Sequence, residues 1–188
     1  MHPERDIQAI NLAARRPVNV KNKVGLLGDS NFNKIGVPEM NSHLKKAQCV
    51  KYSYSGATSL HLQHYCDILL SERLDTVFIH AGTNDIWGRN KRNVTSQQIA
   101  EDIINIGLKC RETGVKTIYI SSIFITHVPN SNRIRGEVNN LLKLLCYGNN
   151  FTYINNDFLT LNDLEDQVHL NWDGRRKYVN NIINILNH

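Results

Sequence analysis

Short apolar runs that alternate with longer segments of helical period decide what this chain can fold into. The runs are KVGLLGD (23–29), QCVKYSYS (48–55), LDTVFIHA (74–81), KTIYISSIF (116–124) and FTYIN (151–155). Each has the length of a strand, and the third is apolar enough to be buried on both faces. Between them, apolar residues recur at helical spacing. Residues 58–71 carry Leu60, Tyr65, Leu69 and Leu70, and residues 96–112 carry Ile99, Ile103, Ile106 and Leu108. Residues 132–147 carry Ile134, Val138, Leu141, Leu142 and Leu145, and a last segment near 174–187 carries Tyr178, Val179, Ile182, Ile183 and Leu186. Thr95 and Gln98 have capping-box spacing at the head of the second helix, and Gly114 stops it. Strand, helix, strand, helix means an α/β fold with a parallel sheet covered on both faces.

Length and composition agree with one such domain. The chain has 188 residues, 41% hydrophobic and 21% charged, with a formal net charge of +5. Residues 1–22 read as a peripheral segment with a short helical patch from Ile7 to Ala14, ended by Arg15-Arg16-Pro17, and 23–188 as the domain. No apolar run has the length of a membrane span, and the N-terminal residues lack a signal-peptide core, so the expected location is intracellular, in the cytoplasm. Cys49, Cys66, Cys110 and Cys146 are scattered among apolar neighbours without metal-ligand spacing, which reads as four buried free thiols and no metal site.

In a doubly wound sheet the site lies beyond the carboxyl ends of the strands. Gly28-Asp29-Ser30 follows the first strand, Ser55-Gly56-Ala57-Thr58 the second and Gly82-Thr83-Asn84-Asp85 the third; Asp166-Gln167-Val168-His169 precedes the last helix. Singly, each has an ordinary reading as a cap, a turn or a structural histidine. Together they supply the parts that ester cleavage requires: a nucleophile, a base, a group that orients the base, and oxyanion donors. Ser30 is the candidate nucleophile, His169 the base and Asp166, three residues earlier, the group that fixes its tautomer. The backbone N–H groups of Ser30 and Gly56 and the Asn84 amide are the candidate oxyanion hole, with Thr83 and Asp85 pinning the loop.

Ser30, Gly56, Asn84 and His169, in that order, resemble the four signature residues of the SGNH hydrolases, or GDSL-type esterases; GDS, GTND and DxxH stand where that family has its blocks, over about residues 23–187. The resemblance implies a three-layer flavodoxin-like fold with five parallel strands and a serine esterase that uses neither metal nor cofactor. Two positions depart from the pattern. Asn31 follows Ser30 where the family name has Leu, and Gln167 stands where Gly is frequent, which bears on the Asp166–His169 turn. A narrower similarity, over ISSIFITHVPNSNRIRGEVNNLLKLLC and VHLNWDGRRKYVNNI, is to the esterase-type domains of non-LTR retrotransposons and related animal sequences, which accompany nucleic-acid-binding proteins and are linked to membrane association.

Three basic clusters bear on partners: Arg89, Lys91 and Arg92; Arg175, Arg176 and Lys177; Arg133 and Arg135. They read either as a solvated face or as a rim, made by the first two, that draws anionic lipid or nucleic acid. No aromatics are interleaved for stacking on bases. Trp87 and Trp172 either wall an acyl pocket or cover the core rim. The expected substrate is a small ester with a short acyl group such as acetyl, because no long apolar lid insertion separates the blocks. The alternatives are an acyltransferase on the same site and an idle fold that binds lipid, nucleic acid or protein.

Overall fold

The computed structural model describes residues 21–188. The helical patch expected over Ile7–Ala14, and all but the last two residues of the expected peripheral segment, lie outside them. The strands are β1 (Asn22–Gly28), β2 (Ala47–Ser53), β3 (Thr76–His80), β4 (Thr117–Ser121) and β5 (Thr152–Ile154). They form one parallel sheet in the order β2-β1-β3-β4-β5. The helices are α1 (Val37–Ser42), α2 (Ser59–Tyr65), α3 (Thr83–Ile86), α4 (Ser96–Glu112), α5 (Pro129–Gly148) and α6 (Trp172–Asn187), with 310 turns at Ser30–Phe32, Cys66–Glu72 and Leu161–Asp163.

Side-chain alternation along the strands divides the core in two. Leu27, Val77, Ile79, Ile118 and Ile120 face one side and pack with Leu62, Ile99, Ile103, Val138 and Leu142 of α2, α4 and α5. Val24, Leu26 and Phe78 face the other and pack with Met40 of α1 and Tyr178 and Ile182 of α6. The central strand β3 is buried throughout, which is why its sequence shows no polar alternation. The result is the three-layer α/β/α fold with five parallel strands.

Several boundaries differ from the sequence reading for local reasons. The fourth strand ends at Ser121 rather than 124, because side chains of α5 replace the ladder. Asn139 accepts from the Ile123 N–H at 2.9 Å and donates to its carbonyl at 3.0 Å, and Arg135 donates to the same carbonyl. The helix expected over 58–71 narrows after Tyr65 into the 310 turn Cys66–Glu72, which ends at Arg73 in the left-handed region. Helix α5 begins at Pro129, whose ring suits a first helical position. The expected capping box at α4 is half formed. Thr95 caps the Gln98 N–H at 3.1 Å, while the Gln98 amide turns to Asp102. All four cysteines are buried and free.

The order of strands reverses direction between β1 and β3, and ligands in such sheets bind at that switch point. Gly28 is in register with both Ser53 and His80, so the first three strands release their loops at one edge.

Candidate active site

Ser30 heads the 310 turn after β1. Asp29 is fully buried, and its carboxylate accepts the Asn31 N–H at 2.9 Å, which closes the turn as an N-cap. Asn31 is buried as well and donates its side-chain amide to the same oxygen at 3.3 Å, while its own Oδ1 is buried without a partner, so the departure from Leu places a half-satisfied amide beside Ser30. The Ser30 hydroxyl stands 2.8 Å from His169 Nε2. On the far side of the ring, Nδ1 lies 2.7 Å from Asp166 Oδ2.

His169 reaches Ser30 across 139 positions of sequence because its own loop is tightly closed. The Glu165 N–H donates to the His169 carbonyl at 2.9 Å, Leu164 and Leu170 form an antiparallel bridge, and the Asn171 N–H donates to the Asp163 carbonyl at 2.8 Å. Asp166 Oδ1 accepts the N–H groups of Val168 at 2.9 Å and His169 at 2.8 Å. Burial pushes the Asp166 carboxyl up, but those two N–H groups and the His169 ring outweigh it and hold the group below the usual carboxylate range. Gln167 does not distort this turn. Its side chain is exposed, and its carbonyl accepts the His127 N–H at 2.9 Å.

The two other loops at this edge are clamped to each other. Gly56 has φ +72° in a turn closed by Ala57 N–H to the Tyr54 carbonyl at 3.1 Å, a conformation that side-chain-bearing residues rarely adopt. Gly82 has φ +111°, and a Cβ there would stand 2.4 Å from Ile123 Cδ1. That turn aims Asn84 back at the second loop, where its amide donates to the Ala57 carbonyl at 3.0 Å. One amide hydrogen is used this way and the other has no partner among the described residues. Asn90 donates to the Gly56 carbonyl at 2.7 Å, a contact the sequence reading did not anticipate.

Asp85 pins the loop as expected. Its carboxylate accepts both the N–H and the hydroxyl of Ser59 at 2.8 Å. Thr83 does not share that role, since its buried hydroxyl oxygen has no hydrogen-bond partner.

The basic rim needs correction at Arg92. Its guanidinium is turned inward, 2.9 Å from Asp85 and 2.6 Å from Asp102, and 82% of the side chain's surface is covered. The physical reason is that two buried carboxylates need a counter-charge, and Arg92 is the cation that reaches both. Arg175 pairs with Glu165, Arg176 with Asp173 and Lys177 with Asp163. Arg133 and Arg135 pair with Glu137 and Asp157. Arg89 and Lys91 are exposed and without an ion pair among the described residues. Trp87 packs on the core, whereas Trp172 is 65% exposed, with the Arg176 guanidinium 4.8 Å from its ring centre.

A cleft of about 280 Å³ opens at Ser30 and His169. Among the described residues no cluster of His, Cys, Asp and Glu can hold a metal ion, and no helix is long and apolar enough to cross a membrane.

No protein-family model matches this chain, and no curated protein matches it in sequence. Solved structures do match in three dimensions. A member of the lipolytic protein G-D-S-L family from Veillonella parvula superposes with a TM-score of 0.73 at 15% identity, over 87% of this chain and 97% of that one. A carbohydrate acetylesterase from Sinorhizobium meliloti gives 0.72 at 16% identity, over 88% and 98%. A lipase/acylhydrolase from Enterococcus faecalis gives 0.72 at 16% identity, over 89% and 96%. At such identities the likeness is one of fold. With its strand order and its strand-end loops, the chain has the fold of the GDSL-type, or SGNH, hydrolases.

Proposed function

We propose that the chain is a serine esterase that cleaves small carboxylic esters. The observation that carries this reading is the continuous line Ser30 Oγ, His169 Nε2, His169 Nδ1, Asp166 Oδ2, with contacts of 2.8 and 2.7 Å. Ser30 attacks the acyl carbon as His169 Nε2 takes its proton, and Asp166 holds the ring and offsets the charge it acquires. The oxyanion is received by the N–H groups of Ser30 and Gly56 and the free Asn84 amide hydrogen. The alcohol leaves with the proton from His169, and water then releases the acyl group by the same route.

Hydrolysis is favoured over transfer to another alcohol, because the base itself is open to solvent, with the His169 side chain 36% exposed. An idle binding module has no use for three aligned polar side chains at the switch point. Recruitment to anionic lipid or nucleic acid is the weaker reading, since four of the six cations proposed for the rim are in ion pairs.

The test is turnover of p-nitrophenyl acetate by the wild type, Ser30→Ala and His169→Ala. Each substitution should lower kcat by about 10⁴ or more while the far-UV spectrum and melting temperature hold. A Ser30→Ala protein that keeps half the wild-type rate removes Ser30 as nucleophile.

A further inference from the structure

The cleft beside His169 has a direction that the proposed chemistry fixes. In the tetrahedral intermediate the oxyanion points to Gly56 and Asn84. The leaving oxygen must lie near His169 Nε2, because that atom carries the proton taken from Ser30 and has to return it. The alcohol therefore extends to the His169 side. The cleft is on that side: besides the triad it is lined by Asn31, Asn33, Lys34, Glu165, Leu170 and Arg175, and neither Gly56 nor Asn84 borders it.

Of those six side chains only that of Leu170 is apolar. Lys34 and Arg175 both pair with the Glu165 carboxylate, the latter at 3.1 Å, and Arg175 also donates to the Leu170 carbonyl at 2.5 Å. The two cations hold Glu165 below the usual carboxylate range, with the Lys34 hydrogen bond the larger cause. The pairs are partly solvated, with Lys34 61% and Glu165 30% exposed, so a ligand can exchange into them. An aliphatic alcohol lying here would strip water from these charges and return no hydrogen bond. A hydroxyl both donates and accepts, and Glu165 beside Lys34 offers an acceptor next to a donor. The charges also balance. Two cations, Lys34 and Arg175, and two carboxylates, Glu165 and Asp166, line the same cleft, which favours a neutral ligand over a phosphate.

We propose that this cleft is the leaving-alcohol subsite and that it takes a neutral polyhydroxylated alcohol, which makes the substrate an O-acylated sugar or polyol read by Glu165 and Lys34. The inference rests on the esterase reading and names its substrate class. In the first step the bond from Ser30 Oγ to the acyl carbon forms and the bond from that carbon to the sugar oxygen breaks. The Ser30 proton passes through His169 Nε2 to the sugar oxygen, and the free hydroxyl leaves. Water repeats the sequence on the acyl-enzyme and releases the carboxylic acid.

The experiment compares kcat/KM for a mono-acetylated methyl glucoside, octyl acetate and p-nitrophenyl acetate in the wild type, Glu165→Ala and Lys34→Met. The wild type should prefer the glucoside ester to octyl acetate by about tenfold or more, roughly one well-placed hydrogen bond to a charged group. In each variant the ratio of glucoside ester to p-nitrophenyl acetate should fall about tenfold, mostly through KM. Because p-nitrophenyl acetate reports on the triad in the same protein sample, misfolding lowers both rates and leaves the ratio unchanged. A wild type that prefers octyl acetate, or variants that turn over both esters with unaltered ratio, overturns the subsite and leaves the esterase reading intact. A wild type inactive on all three esters overturns the esterase reading, and the subsite with it.

Discussion

Asn84 has one structural partner and one proposed one. Its amide gives one hydrogen to the Ala57 carbonyl, and the other is the proposed oxyanion donor. Loss of an oxyanion donor typically costs about 10²–10³ in kcat with little change in KM, because the donor meets charge that develops only in the transition state. Asn84→Ala should show that pattern in steady-state kinetics on p-nitrophenyl acetate. A normal kcat with a raised KM would make Asn84 a ground-state binding residue. Ser30, Asp166 and His169 were legible because strand-end position and spacing narrow the choice to a few polar residues. Asn90 and Arg92 were not, because nothing in the GRNKR stretch distinguishes a cation or amide that turns inward from one that faces water. The partners of Arg92 lie at Asp85 and Asp102, and only packing brings those together.

At the scale of elements, the third loop and α4 are held by that buried ion cluster. Asp85 is fully buried and Asp102 nearly so. Burial holds the Asp85 carboxyl above the usual carboxylate range, and the Ser59 hydrogen bonds and the Arg92 guanidinium only partly offset it. Arg92→Ala leaves two buried carboxylates without a counter-charge, so chemical denaturation should show a loss of about 3 kcal/mol. An unchanged midpoint would place Arg92 among the ordinary surface cations.

His80, at the end of β3, gives a second prediction. It is fully buried, with its ring 4.0 Å from that of Phe124 and Nδ1 3.1 Å from the Ser121 hydroxyl. Burial lowers its pKa from 6.5, and the buried Asp29 carboxylate only partly restores it. The native ring therefore stays neutral where the unfolded chain takes up a proton. His80 contributes stability that is complete above about pH 6.5 and is lost as pH falls toward the lowered native value. The melting temperature should drop between pH 7.5 and 5.5, and the drop should be smaller in His80→Asn. Equal drops in both proteins would exclude His80 as the source.

For the whole molecule, the sheet was legible because its inner strands are covered on both faces and so spell continuous apolar runs. Helix α1 escaped the sequence reading. It has six residues with only Met40 buried, and Gly36 and Pro38 mark a turn as readily as a helix start. The parallel order with its switch between β1 and β3 explains why four distant segments meet at one edge.

Activation of Ser30 at this edge can be read with a fluorophosphonate probe, since the probe bonds only to a serine whose proton has somewhere to go. Peptide mass spectrometry after brief exposure should find the label on Ser30 in the wild type. Labelling should be lost in Ser30→Ala and reduced by orders of magnitude in His169→Ala, with both variants still folded. A folded wild type whose Ser30 remains unlabelled, or one labelled equally well with and without His169, contradicts the account.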